Sequence, residues 1–93
     1  MIQSFADRNT EKLAQRQRVP VFDTRIERVA LRKLRLLDAA TSLNDLRVPP
    51  GNRLEALKGD RAGQHSIRIN DQWRICFTWT HAGPEGVEIV DYH

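Results

Sequence analysis

The stretch "HSIRINDQWRICF" (residues 65–77) constrains the fold most, because its strand register follows from parity alone. Ile67, Ile69, Trp73, Ile75 and Phe77 are odd-numbered, whereas Ser66, Arg68, Arg74 and Cys76 are even-numbered. Side chains alternate across a strand, so the odd set lines a core and the even set occupies the less apolar face. A three-residue loop over 70–72 preserves that parity on both strands and sets Ile69 against Trp73 and Ile67 against Ile75. A two-residue loop would oppose apolar to polar residues and turn one set the wrong way. The same register puts Arg68 directly opposite Arg74. Like charges there destabilise a sheet, so the pair implies either an anion such as phosphate between the guanidinium groups, or solvent and carboxylates that compensate them.

The rest of the second half is also strand-like: "RLEALKG", "WRICFTWT" and "VEIVDY" are each bounded by turn residues. With "HAGPEG" as the loop of the last hairpin, Thr80 pairs with Val87 and Arg74 falls opposite His93. The first half reads differently. "MIQSF" has the alternation of a short edge strand, and Asn9 or Thr10 could cap a short helix over "EKLAQRQ". Pro20 interrupts helical geometry, which makes residues 8–22, and "RQRVPVF" in particular, a candidate flexible segment. The strongest helix signal covers residues 23–40. Thr24 with Glu27 fits a capping box, and Asp23 is the alternative cap. Ile26, Val29, Ala30, Leu34 and Leu37 form one apolar face, while Arg25, Arg28, Arg32 and Arg35 repeat on another. That stripe is either a solvated outer face or a contact surface for RNA or an acidic partner. "SLNDLR" reads as a second short helix and "VPPGN" as a turn. Helices first and strands after predict a single α+β domain over residues 1–93, with a small antiparallel sheet and N-terminal helices on one face.

Ninety-three residues support one modest core, and the 40% apolar content argues against disorder. No apolar run is long enough to span a bilayer, and the N-terminus lacks the apolar core of a signal peptide, so a cytoplasmic location is expected. Lys and Arg number 15 against 12 Asp and Glu, a net charge of +3, which permits a polyanion partner. The single cysteine, Cys76, lies within a strand pattern and reads as a packing residue.

The candidate chemistry narrows by elimination. His65, His81, His93 and Cys76 show no metal-ligand spacing, no glycine-rich loop marks a nucleotide site, and nothing suggests a serine triad. Cleavage of RNA by side chains alone stays open. It needs a base for the ribose 2′-hydroxyl, an acid for the leaving oxygen and cations for the phosphorane. Lys58, Arg68 and Arg74 could be the cations. His93, Asp91 and Glu55 could exchange protons, and Tyr92 could stack on a base or donate its hydroxyl. Each also has an ordinary reading as a surface or terminal residue.

"PPGNRLEALKGDRAGQHSIRINDQWRICFTW" followed by "VEIVDYH" closely resembles the HigB branch of the RelE-like toxins of bacterial toxin–antitoxin systems. The resemblance covers residues 31–93 and rests on "PPGNRL", "LKG", "SIRIN", "WRI" and the "VDYH" end, in that order. It implies a toxin with a small twisted sheet that enters the A site of the 70S ribosome and cuts mRNA there, with no cofactor. It implies as partner a helix-turn-helix antitoxin, with operator DNA bound only by the toxin–antitoxin complex, and no membrane. Carried over by position, Lys58 is the lysine of "LKG" and Arg74 the arginine of "WRI", on the scissile phosphate. Asp91, Tyr92 and His93 are the acid, aromatic and imidazole of the site, and Arg68 matches a usually basic position. Glu55 departs from a family pattern that often has histidine there. His93 and Asp91 are thus expected to move protons, with Glu55 a further candidate base. Arg74, Lys58 and Arg68 would bind phosphate, Tyr92 would orient the mRNA base, and Arg28, Arg32 and Arg35 would contact ribosomal RNA. A non-catalytic RNA- or DNA-binding module, and a protein-binding scaffold of the same fold, are the competing readings.

Overall fold

The computed structural model describes residues 1–91. Tyr92 and His93 lie outside the described residues, so the roles expected of them have no structural counterpart below.

The chain begins in extended conformation and forms helix α1 (Arg8–Ala14), then helix α2 (Thr24–Ala39). Four strands follow: β1 (Glu55–Ala56), β2 (His65–Arg68), β3 (Trp73–Thr80) and β4 (Gly83–Asp91). They pair antiparallel in the order β1-β2-β3-β4, and the α+β expectation holds. The segment read as an edge strand contributes a single parallel bridge, Phe5 to Val87, on the outer edge of β4.

The caps differ from those expected. Asp7, two or three residues before the expected cap, starts α1 by accepting from the Thr10 amide at 3.2 Å. Thr10 is fully buried, and its hydroxyl accepts from the Ile89 amide at 2.9 Å, tying α1 to β4. Asp23 caps α2, accepting from the amides of Arg25 (2.9 Å) and Ile26 (3.0 Å). Glu27 does not close a capping box with Thr24, because Arg18 donates to its carboxylate. Arg18 also donates to the Val19 and Phe22 carbonyls, and Val19 and Phe22 are both buried.

The β2–β3 hairpin has the register that parity requires: Ile67 pairs with Ile75 and Arg68 with Arg74. Asn70 closes the loop, its Oδ1 accepting from the amides of Gln72 (2.9 Å) and Trp73 (2.8 Å). Ile67, Ile75 and Phe77 are fully buried and join Ile26, Ala30, Leu34 and Leu37 of α2 in one core. Phe22 meets Trp73 edge-on at 5.4 Å.

The second hairpin corrects the expected register. Its turn is only His81 and Ala82, since Thr80 pairs with Gly83 and β4 runs through "GPEG". Arg74 therefore lies opposite Val90, not opposite His93. The glycines are strand positions with special geometry. At Gly83 (φ 127°) a Cβ would stand 2.4 Å from the Met1 carbonyl oxygen. Gly86 (φ 61°) lies in a bulge, where β4 spends two residues between Glu85 and Glu88 against one on β3. "RLEALKG" also shortens to a two-residue edge strand, since left-handed Gly59 turns the chain after Lys58.

Candidate functional site

The helices cover the odd-numbered face of the sheet. The even-numbered face carries Arg68 and Arg74 in one row, and Glu55, Ser66, Cys76 and Glu88 in the next. Alternation alone produces this polar surface beneath a continuous core.

Arg74 is its best-fixed cation. Its side chain is only 11% exposed. Nε donates to Ser66 Oγ at 2.8 Å and Nη2 donates to the Arg53 carbonyl at 2.7 Å. Two bonds from two sides set the plane of the guanidinium as well as its place. Glu55 Oε2 lies 3.8 Å from Nη2. Ser66 is fully buried in β2. Arg53 presents its carbonyl from a left-handed conformation (φ 46°, ψ 56°) just after the "PPGN" turn.

Arg68 faces Arg74 across the hairpin and donates to the carboxylate of Asp71. Each arginine of the pair has a carboxylate neighbour: Asp71 beside Arg68 and Glu55 beside Arg74. Asp71 is 99% exposed on the hairpin loop, and an ion pair so solvated is weak. A phosphate offers the same charge with stronger acceptors and could replace it.

Farther along the face, Arg61 donates to Glu88 (2.9 Å) and to Gln64 (3.0 Å). Cys76 is fully buried. Burial pushes its thiol up, against the opposing fields of Arg61 and Arg74. That favours the neutral thiol and the packing role expected of it.

The structure gathers some expected site residues and separates others. Glu55, Arg68 and Arg74 share the face of the sheet turned away from α2. Lys58 is exposed at the turn after β1. Asp91 pairs with Trp73, which puts it on the opposite face by alternation, and its Oδ2 accepts from Gln72 Nε2 at 3.0 Å. Arg28, Arg32 and Arg35 are exposed on α2, in the helical layer. Among the described residues, no group of three or more His, Cys, Asp or Glu is placed to hold a metal ion.

Two holders of Arg74 were not anticipated: Ser66 and the Arg53 carbonyl. Ser66 was legible in principle, since antiparallel pairing puts it opposite Cys76, diagonal to Arg74. The carbonyl depends on turn geometry that residue types do not specify.

Comparison with known proteins places the chain in a family. The family described as "RelE-like toxin of type II toxin-antitoxin system HigB" matches residues 3–93. Toxin HigB-1 of Vibrio cholerae is 48% identical over 67 residues, covering 72% of this chain and 66% of that protein. An uncharacterized protein of Haemophilus influenzae is 40% identical over 52 residues, covering 56% and 52%. In both, the match spans less than two thirds of the relative's length. Endoribonuclease HigB of Proteus vulgaris is 33% identical with full coverage of both chains.

Proposed function

This chain belongs to the HigB family of RelE-like toxins of type II toxin–antitoxin systems, and we propose that it is an endoribonuclease that cuts mRNA in the ribosomal A site. The observation that carries the proposal is the Arg68–Arg74 pair on the face of the sheet turned away from α2, with Arg74 held by Ser66 and Arg53.

In the proposed reaction the ribose 2′-oxygen attacks the adjacent phosphorus and the bond to the 5′-oxygen breaks. The products are a 2′,3′-cyclic phosphate and a free 5′-hydroxyl. A base removes the 2′ proton, an acid protonates the 5′-oxygen, and cations stabilise the phosphorane between. Arg74 is the principal cation, because its orientation is set in advance and little reorganisation is needed as charge develops. Arg68 supports it by exchanging Asp71 for phosphate, and Lys58 approaches from the turn after β1.

Glu55 is the proposed base. It lies on the face that carries Arg74, with its Oε2 3.8 Å from Arg74 Nη2, and a carboxylate oxygen there can accept the 2′ proton. We assign the acid to His93 and the orientation of the mRNA base to Tyr92, as the family resemblance implies. Asp91 leaves the proton-transfer pair in this scheme: it steadies the end of β4 through Gln72. Arg28, Arg32 and Arg35 contact ribosomal RNA from the helical side. The antitoxin partner follows from the family; a helix-turn-helix antitoxin, operator DNA bound through the complex, and action in the bacterial cytoplasm complete the proposal. No helix among the described residues is long and apolar enough to cross a membrane.

The test is single-turnover cleavage of mRNA on programmed ribosomes by wild-type protein, Arg74→Ala and Glu55→Gln. Cleavage in the A site by the wild type, lost in Arg74→Ala and slowed in Glu55→Gln, supports the proposal. RNA bound but left intact by the wild type would point instead to a non-catalytic binding module.

A further inference from the structure

We propose that Lys33 and Asn52 are positioning residues that hold the Arg74 guanidinium in place through the Arg53 carbonyl. This rests on the reading of Arg74 as the cation at the scissile phosphate.

Lys33 belongs to the buried face of α2, with Ile26, Ala30, Leu34 and Leu37. It is only 6% exposed. Burying an ammonium costs free energy that an aliphatic residue would avoid. Burial, with the positive fields of Arg32 and Arg68, holds its pKa below the ordinary lysine value. Core packing therefore does not explain a lysine here, and its polar contact does: Nζ donates to Asn52 Oδ1.

Asn52 is fully buried and bonded at both ends of its amide. Nδ2 donates to the carbonyls of Leu46 (3.1 Å) and Val48 (3.3 Å), and its backbone amide donates to the Pro49 carbonyl at 2.9 Å. It thus fastens the turns of residues 43–52 to α2. The next residue, Arg53, is left-handed. A non-glycine residue persists in that conformation where its surroundings over-determine it, and the Asn52 anchor supplies that restraint. The result is a carbonyl aimed at Arg74 Nη2, 2.7 Å away. The connection runs from Lys33 in the helical layer, through Asn52 and the Arg53 carbonyl, to the guanidinium on the other face. Without it Arg74 keeps its bond to Ser66 but loses the bond to the Arg53 carbonyl, which helps to fix its plane.

Lys33→Met tests this, since methionine preserves the apolar bulk and removes the donor. The first readout is the 15N–1H signal of Arg74 Nε, identified by its disappearance in Arg74→Lys. The signal is expected to shift and broaden in Lys33→Met while the amide signals of β3 stay in place; an unchanged signal overturns the proposal. The second readout is single-turnover cleavage on programmed ribosomes. Lys33→Met should slow it about tenfold when Arg74 is present, and less than about twofold in an Arg74→Lys background, where there is no guanidinium to orient. Equal slowing in both backgrounds overturns the proposal and marks Lys33 as merely structural. Should Lys33→Met fail to fold, Lys33→Gln, polar but one bond too short, replaces it in both measurements. A wild-type protein that leaves ribosome-bound mRNA uncut defeats the proposed function, while the Arg74 signal still decides the positioning role.

Discussion

Among single residues, Arg74 bears most directly on the proposed chemistry. Its guanidinium is fixed by Ser66 Oγ and the Arg53 carbonyl, so its replacements should separate charge from geometry. Arg74→Ala should lower single-turnover cleavage at least about a hundredfold, the scale of losing one well-placed transition-state donor. Arg74→Lys should fall between, because an ammonium keeps the charge but cannot span both acceptors. The same assay on Glu55 divides the proton-transfer roles: Glu55→Gln should slow cleavage, and Glu55→His should restore it, since imidazole can also accept the 2′ proton. Full activity in Glu55→Gln would return the base role to Asp91 or His93. The Arg68–Arg74 pairing was legible in the sequence because parity leaves one register that keeps five apolar residues together. Lys33 was half legible. It falls seven residues after Ile26, on the core stripe, but a lysine between arginines reads as solvated until its buried partner is known.

At the scale of elements, the caps and the β3–β4 hairpin carry the predictions. Hydrogen bonds hold both Asp23 and Asp45 below their ordinary carboxylate pKa: chiefly that from the Ile26 amide for Asp23, and that from the Thr41 amide for Asp45. A carboxylate lowered in the folded state adds stability that is fully present above its unfolded pKa of about 3.9 and is lost as pH falls through the folded value. Thermal melts should therefore show Asp23→Ala lowering Tm by about 5 °C at neutral pH. The gap to wild type should shrink as pH falls below the unfolded value and on through the lower folded one, because the cap then becomes protonated in both states. A gap independent of pH would contradict the assigned cap. Gly83→Ala should destabilise by about 1–3 kcal/mol in denaturant titration, because its Cβ would meet the Met1 carbonyl and its φ is 127°. Wild-type stability in that variant would mean the N-terminal segment does not pack on β4 as described. This hairpin is also where the sequence misled. Gly83 and Gly86 read as loop punctuation, yet one makes room for another chain segment and the other forms a bulge. A glycine alone cannot say which of these its missing side chain serves.

The whole molecule presents two basic surfaces separated by one core. The sheet face carries Arg68 and Arg74, and the helical layer exposes Arg28, Arg32 and Arg35. Assigning the first to chemistry and the second to ribosomal RNA predicts different kinetic signatures. Replacing Arg28, Arg32 and Arg35 together with glutamine should weaken ribosome binding and flatten its salt dependence, while cleavage at saturating ribosome stays within about twofold. Arg74→Ala should do the reverse. The layered plan was legible because the helical period precedes the strand period along the chain. The assembly of the site was not, because it depends on a turn carbonyl and on a register that glycines alter. The central claim, that the Arg74 face cuts translated mRNA, is tested most directly by mapping mRNA 5′ ends after induced expression, for a reporter with and without its start codon. New 5′-hydroxyl ends are expected within the reading frame only when it is translated, and none with Arg74→Ala. Ends that persist without translation, or in Arg74→Ala, would contradict it.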